Sequence, residues 1–282
     1  MQVKEYGYIV RIPNCRVKMP NLEYEEVAQN ARKEDKEYVM GLEKGLAIIE
    51  AFGISKGPLT LTQAAEITGH TKAAVCRSLL TLCRLGYAAQ AGRHFRLAPR
   101  SLRLGHAYVA SDPLAKVAQP ILEMTSERTQ ESSSIAVLDS QDAVFIARST
   151  HRRSLSSGLG VGARLPAYCS ATGRVLLSEK QPSEIEFILN RMSRPTLTPH
   201  TQTRVQSVLD EIELVKSRGY SISDEELELG LRSIAVPVRN GHGELIAAMS
   251  LSVSTSRMTR QEVVERLLPE LETARRNFAS IL

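Results

Sequence analysis

In the stretch GHTKAAVCRSLLTLCRLGY, residues 69–87, Val75, Leu79, Leu82 and Leu85 recur at steps of three and four, the signature of one buried helix face. Lys72, Ala73, Arg77 and Thr81 fall on the other side. Two cations set among small residues suit the chemistry of DNA recognition. Lysine and arginine reach phosphates or guanine edges, and Ala73 and Ala74 permit close approach to a thymine methyl. A merely solvated basic face is the plainer reading of the same pattern. What surrounds the helix decides between them.

The other chemistry-bearing residues point away from catalysis. Cys169 stands beside Ser170 at the start of a predicted helix, where a thiol can be acidic, yet none of the six histidines is placed to serve as its base. GLGVGA, residues 158–163, is glycine-rich but lacks the GxGxxG spacing of a dinucleotide loop, and no long helix follows it. The carboxylates of SDEELELG, residues 223–230, read as a solvated turn, with no second ligand cluster to complete a metal site. No catalytic residue, cofactor or metal is therefore expected. The remaining polar pattern is MSLSV, residues 249–253, where strand alternation puts Ser250 and Ser252 on one face. Those hydroxyls can act together on a ligand or simply be satisfied within a strand.

The elements that must position the basic helix are legible around it. Val39, Leu42, Leu46, Ile49 and Phe52 predict a helix ended by Gly53, and ISKGPLT, punctuated by Gly57 and Pro58, a turn. LTQAAEITG is a second short helix burying Ala65 and Ile67, with Thr62 as its cap, and Thr71 caps the helix after it. Gly69 supplies a turn of positive φ between them, and Val75 plugs the crossing. YAAQ and HFRLA then form a hairpin, or wing, with Arg93 at its tip. Helix, helix, glycine turn, helix, wing is the order of a winged helix-turn-helix. Its candidate DNA-binding residues are Thr62, Thr71, Lys72, Ala73, Ala74, Arg77, Ser78, Arg93 and Arg96.

Charge agrees with this placement. Between Tyr38 and Ser111 there are nine basic and three acidic residues, an excess of six on a chain whose net charge is +5. One segment thus carries the whole positive excess, as a nucleic-acid-binding domain attached to a near-neutral partner would. The chain divides into a flexible tail (1–37), the winged domain (38–98), a linker helix (99–112) opened by Pro99, and an α+β domain (113–282). Arg100 and Arg103 at the linker's start either approach the DNA backbone or lie on a plain surface helix. The last domain alternates hairpins, SSIAVLDS with AVFIARS and SIAVPVR with ELIAAMSLSVS, with amphipathic helices on one or both faces.

A chain of 282 residues accommodates two cores, and 43% hydrophobic with 24% charged residues is a globular composition. No apolar run approaches the ~20 residues of a membrane span, and the N-terminus lacks a signal-peptide core. Cys15, Cys76, Cys83 and Cys169 form no CxxC pair, which fits a reducing cytoplasm and argues against structural zinc.

Three stretches, LTQAAEITGHTKAAVCRSLLTL, LPAYCSATGRVLLS and RGYSISDEELELGLRSIAVPV followed by AAMSLSVS, occur in an order that resembles the IclR family of bacterial transcriptional regulators. The likeness covers Tyr38 to Leu282. It implies a GAF-like effector-binding domain, a double-stranded operator as partner, and a homodimer formed through the N-terminal domain and linker helix, often paired again on DNA. GLEKGLAIIEAF and RLPAYCSATGRVLLS are most similar to the branch that controls aromatic-acid catabolism, the β-ketoadipate pathway and its feeders. The family's effector pocket would fall on Leu165 and on Tyr168, Cys169, Ser170, Ala171, Thr172 and Gly173. Its second wall would be Ser223, Leu231 and Ser233, and its third Ser250 and Ser252. The expected ligand is a hydroxylated aromatic acid such as protocatechuate or 4-hydroxybenzoate, its carboxylate at the Ala171 helix start, whose free donors favour negative charge. A short aliphatic keto acid is the alternative ligand. An enzyme fused to a DNA-binding module is the alternative of a different class.

Overall fold

The structure is a computed structural model and describes residues 38–55, 57–151 and 159–279. The predicted tail, Lys56 and Gly158 lie outside them. Two compact units divide between Leu104 and Gly105.

In the first unit, α1 (Met40–Ser55) is followed by β1 (Leu59–Thr60), α2 (Leu61–Thr68), α3 (Lys72–Arg84) and the hairpin β2 (Ala88–Ala91) and β3 (His94–Leu97). The core gathers Ile48, Ala51 and Phe52 of α1, Ala64 and Ala65 of α2, and Val75, Leu79 and Leu82 of α3. Helix α1 runs past Gly53 to Ser55. It buries the Ile48–Ala51–Phe52 face, leaving Val39, Leu42 and Leu46 exposed. Ile67 is likewise exposed, since Ala64 takes the inward position on α2. The cap of α2 is Thr60 rather than Thr62. Its hydroxyl accepts from the Gln63 amide at 3.3 Å while Gln63 Oε1 accepts from the Thr60 amide at 2.9 Å, a reciprocal box that satisfies two orphan donors. Gly69 ends α2 at φ 67, the turn expected of it. Thr71 caps α3 by accepting from the Ala74 amide at 3.3 Å. The segment expected to be a plain turn supplies a third strand, with Leu59 opposite Phe95 and Thr60 opposite His94.

After a 3-10 turn, Pro99–Ser101, helix α4 (Leu102–Ser111) follows, and none of its residues is buried. Leu102 is 77% exposed, with Leu104 and Tyr108 nearly half exposed. Arg100 donates to Leu85 O at 2.9 Å and lies over the Tyr87 ring, so it closes the end of α3 and belongs to the domain surface.

The second unit is built on one six-stranded antiparallel sheet. Its strands are β4 (Ser132–Asp139), β5 (Asp142–Ser149), β6 (Arg164–Pro166), β7 (Ser221–Asp224), β8 (Leu231–Arg239) and β9 (Leu245–Ser254), in the order β6-β5-β4-β9-β8-β7. Alternation along the strands divides two faces. Ile234, Val236 and Val238 with Met249, Leu251 and Val253 pack on α5 (Pro113–Thr129) and α9 (Arg260–Ala279). Ala235, Ala248, Ala136 and Phe145 face α6 (Ala171–Leu177) and α8 (Val205–Arg218), with α7 (Pro182–Arg191) beyond. Helices thus cover both faces. Each deleted large side chain in such a core would cost about 2–5 kcal/mol.

Candidate functional site

The α6 face of the sheet is paved with serines. Ser132 and Ser233 both stand opposite Ser252, Ser134 stands opposite Ser250, and Ser223 opposite Ser233. Ser233 and Ser252 share a hydroxyl–hydroxyl bond of 2.9 Å in which either oxygen can donate. Above this floor lies a cavity closed by three walls: Ser170, Ala171 and Thr172 at the start of α6, Leu227 and Leu231 beside β8, and Leu159 and Leu165 beside β5. Ser233, Ser250 and Ser252 form its base. The free volume between the walls is about 20 Å³. Occupants larger than a water therefore enter only as a wall shifts outward.

The cavity contains one charge that sequence reasoning passed over. Arg148 of β5 lines it together with Phe145. The guanidinium sits 5.4 Å from the Phe145 ring centroid, and its Nε donates to Thr150 Oγ1 at 3.3 Å. Burial depresses the Arg148 pKa, because a desolvated cation lacks the hydration it has in water. An anion seated against it would restore that balance. A β-bulge puts it there. Ala136 pairs with Phe145 but Ile135 pairs with Ala147, so one residue of β5 is inserted and the phase of the strand slips. Ile146 and Ala147 both join the core on the far face, and Phe145 and Arg148 both reach the cavity. Strict alternation would have sent Arg148 to the opposite side.

Thr172 brings a second polar group to the cavity. It is 3% exposed, and its hydroxyl has no hydrogen-bond partner in the structure. Of the helix-start amides, that of Gly173 is already committed to Ser170 Oγ at 3.1 Å.

Four of the expected pocket residues stand behind the wall instead of on it. Tyr168 is fully buried and its hydroxyl donates to Pro195 O at 2.6 Å, so its ring is not a ligand surface. Ser223 donates to Cys169 O at 2.8 Å. The Cys169 thiol is pushed up to about 12 by burial, which removes the nucleophile reading. Gly173 is packing, not contact: a Cβ there would lie 2.3 Å from Ala167 Cα. Leu227 and Leu159 were missed because both sit outside regular elements, where no period marks them.

On the first unit, Thr62, Thr71, Lys72, Ala73 and Arg77 are exposed and Ser78 is half-buried. Ala74 is 7% exposed and belongs to the core, so it cannot meet a base. Arg93 occupies the two-residue wing turn, made possible by Gly92 at φ 59, and Arg96 is exposed on β3. Among the described residues no group of His, Cys, Asp and Glu is arranged to hold a metal ion, and no helix is long and apolar enough to cross a membrane.

Residues 41–92 match the IclR helix-turn-helix domain, and residues 106–279 the C-terminal domain of bacterial IclR transcriptional regulators. The chain is 41% identical to the Pca regulon regulatory protein of Pseudomonas putida, over 86% of this chain and 84% of that one. It is 38% identical to the p-hydroxybenzoate hydroxylase transcriptional activator of Acinetobacter baylyi, over 90% of this chain and 95% of that one. A transcriptional regulator from Rhodococcus sp. RHA1 superposes with a TM-score of 0.74 at 37% identity, covering 87% of this chain and all of that one. The inducer-binding domain of an Acinetobacter PobR double mutant, in complex with 3-hydroxybenzoic acid, gives a TM-score of 0.56 at 34% identity over 59% of this chain and 98% of that one. With its winged helices and its walled sheet both accounted for, the chain belongs to the IclR family of bacterial transcriptional regulators.

Proposed function

We propose that this regulator senses a hydroxylated aromatic carboxylate, of the class of 4-hydroxybenzoate and protocatechuate, and controls aromatic catabolic genes from the cytoplasm. One observation carries the reading. A desolvated arginine, apolar side chains and a hydroxyl pair meet in one cavity, with Arg148 at one side and Ser233–Ser252 at the other. Arg148 and the Thr172 hydroxyl take the carboxylate, Phe145, Leu165 and Leu231 take the ring, and the serines take ring hydroxyls. In the sheet Arg148 of β5 and Ser252 of β9 are separated by β4. At ~4.8 Å per strand spacing their backbones lie about 10 Å apart, a span that a ring bridges once a wall has shifted outward. The aromatic-acid regulators among the relatives support the same ligand class. The narrow free volume favours a short keto acid as second reading, since such a ligand needs less wall.

Calorimetry on the full chain separates the readings. Heats with 4-hydroxybenzoate or protocatechuate are expected, and heats with pyruvate or glyoxylate alone would refute the aromatic assignment. Replacing Ser250 and Ser252 together by alanine should weaken 4-hydroxybenzoate about tenfold, roughly 1.4 kcal/mol, while leaving benzoate nearly unchanged. Equal losses for both acids would show that the serines do not read the hydroxyl.

For DNA, we propose that α3 lies in the major groove and the wing follows the backbone. Arg77→Ala should cost about 1–3 kcal/mol and relax sequence preference, whereas Arg93→Ala and Arg96→Ala should weaken all sequences alike and lower the salt slope. Fluorescence anisotropy across a salt series checks both. An altered operator preference in Arg93→Ala would place the wing on bases. The exposed apolar residues of α4 and of α1 suit a homodimer, the assembly a palindromic operator requires, with pairing of dimers on DNA following from the family resemblance.

A further inference from the structure

We infer that the buried pair Arg174–Glu226 is a positioning element of the effector cavity, fixing the wall that carries Leu227 and Leu231; this rests on the function proposed above. Arg174 lies in the middle of α6 and is fully buried, and Glu226 is 6% exposed. Nη1 and Nη2 each donate to one carboxylate oxygen at 2.6 Å, and Nε donates to Tyr168 O at 3.0 Å. The carboxylate also accepts from the Gln202 amide at 3.1 Å. Both charges are thus committed to one another and to the backbone, and neither lines the cavity. They act on the ligand only through what they hold.

What they hold is the relation between two walls. Arg174 grips the turn that leads to Ser170, Ala171 and Thr172, and Glu226 precedes Leu227 in the 225–230 loop. That loop has a demanding backbone. Glu225 is at φ 55, its Oε1 accepts from the Gly230 amide at 2.7 Å, and the Thr198 and Thr201 hydroxyls donate to the Glu225 and Glu226 carbonyls. On its outer side, Glu225 and Glu226 border a second cavity of about 250 Å³. The loop therefore has space to withdraw from the ligand, and the ion pair is the bond that ties it directly to α6 against withdrawal. A buried ion pair is a poor device for stability alone, because apolar replacements of similar volume are often neutral or stabilising. Its directional fork is well suited to fixing geometry. Among the described residues the opposite wall has no buried ion pair. Leu165 sits on three-residue edge strand β6, where Arg164 meets Asp139 at 2.6 Å and Asp142 at 2.9 Å in exposed ion pairs of little energetic weight. The cavity accordingly widens on the β6 side, while the Leu227 side sets the depth to which a ring can enter.

The test uses the full chain with two variants, Glu226→Gln and the apolar double Arg174→Met with Glu226→Leu. Three quantities are measured: Tm, the Kd for 4-hydroxybenzoate, and amide exchange without ligand. Glu226→Gln should lower Tm, raise Kd about tenfold, and speed exchange of residues 225–231 about tenfold, with β4 and β9 unchanged. The double variant should recover most of the lost Tm but keep the raised Kd and the fast loop exchange. Recovery of all three would show that the pair only stabilises, and fast exchange with unchanged Kd would show that the loop does not shape the cavity. Either result overturns the inference. If the double variant does not fold, Glu226→Gln decides alone: unchanged loop exchange overturns it. A wild-type chain that does not bind 4-hydroxybenzoate defeats the proposed ligand, and loop exchange then still decides the role of the pair.

Discussion

Arg148→Gln is expected to raise the Kd of a hydroxylated aromatic carboxylate by about 30- to 4,000-fold, the equivalent of ~2–5 kcal/mol. The size follows from where the charge sits. In water an arginine–carboxylate contact is screened and weak, but this guanidinium has already lost part of its hydration to the cavity. The ligand carboxylate then supplies what solvent does not, and glutamine can offer hydrogen bonds but no charge. Without ligand, the substitution should leave Tm within a few degrees of wild type. It removes a desolvated cation, which offsets the loss of contacts that include the bond to Thr150 and the Phe145 ring. Weak binding in a normally folded protein is thus the expected pair of results, read by calorimetry and thermal unfolding. A Kd within threefold of wild type would place the carboxylate elsewhere, with the α6 amides and Thr172 as the remaining donors.

Gly173→Ala should produce the opposite pair, a damaged fold with binding lost as a consequence. The added carbon would stand 2.3 Å from Ala167 Cα, 2.6 Å from Ala167 O and 2.6 Å from Ser170 Oγ. Two of those three atoms are backbone, so no side-chain rotation relieves the clash, and α6 must move off its entering turn. Overpacking of this kind costs about 3 kcal/mol, or roughly 6–12 °C in Tm for a domain of this size. Gly53 in α1 is the internal control. Nothing lies within 4 Å of a Cβ built there, so Gly53→Ala should stabilise by about 0.5–1 kcal/mol through the unfolded chain. A Gly173→Ala protein that melted like wild type would mean that the Ala167–Ser170 turn is far more yielding than its packing suggests.

The two units differ in how much of them can be read from residues alone. The winged unit depends on neighbours in sequence: caps, a positive-φ glycine and a helical period within about sixty residues. Its elements and order are therefore visible, and errors stay local. Thr60 rather than Thr62 caps α2 because Gln63 completes the reciprocal box only with Thr60. Ala74 is buried because small side chains pack at a helix crossing as readily as they approach a base. In the larger unit the sheet faces follow from alternation, so Ser250 and Ser252 come to one cavity as their spacing predicts. Arg148 does not follow, since an inserted residue at the β4–β5 bulge reverses the phase, and nothing in AVFIARS marks that insertion. Tyr168 and Ser223 fail for a related reason. Whether a residue faces the ligand or supports the one that does depends on long-range partners, here Pro195 and Cys169.

Helix α4 has a mechanical consequence. A lever transmits rotation only if it resists bending, and an isolated ten-residue helix in water is close to its melting point at ordinary temperature. With no buried residue, α4 draws little from the core of its own chain to raise that point. In a lone subunit it would be a soft connection. Pairing its exposed Leu102, Leu104 and Tyr108 with a second copy would stiffen it. In the homodimer proposed above, a stiff connection would then be created by assembly, and dilution below that dimer's dissociation constant would separate ligand response from operator binding before either domain unfolds.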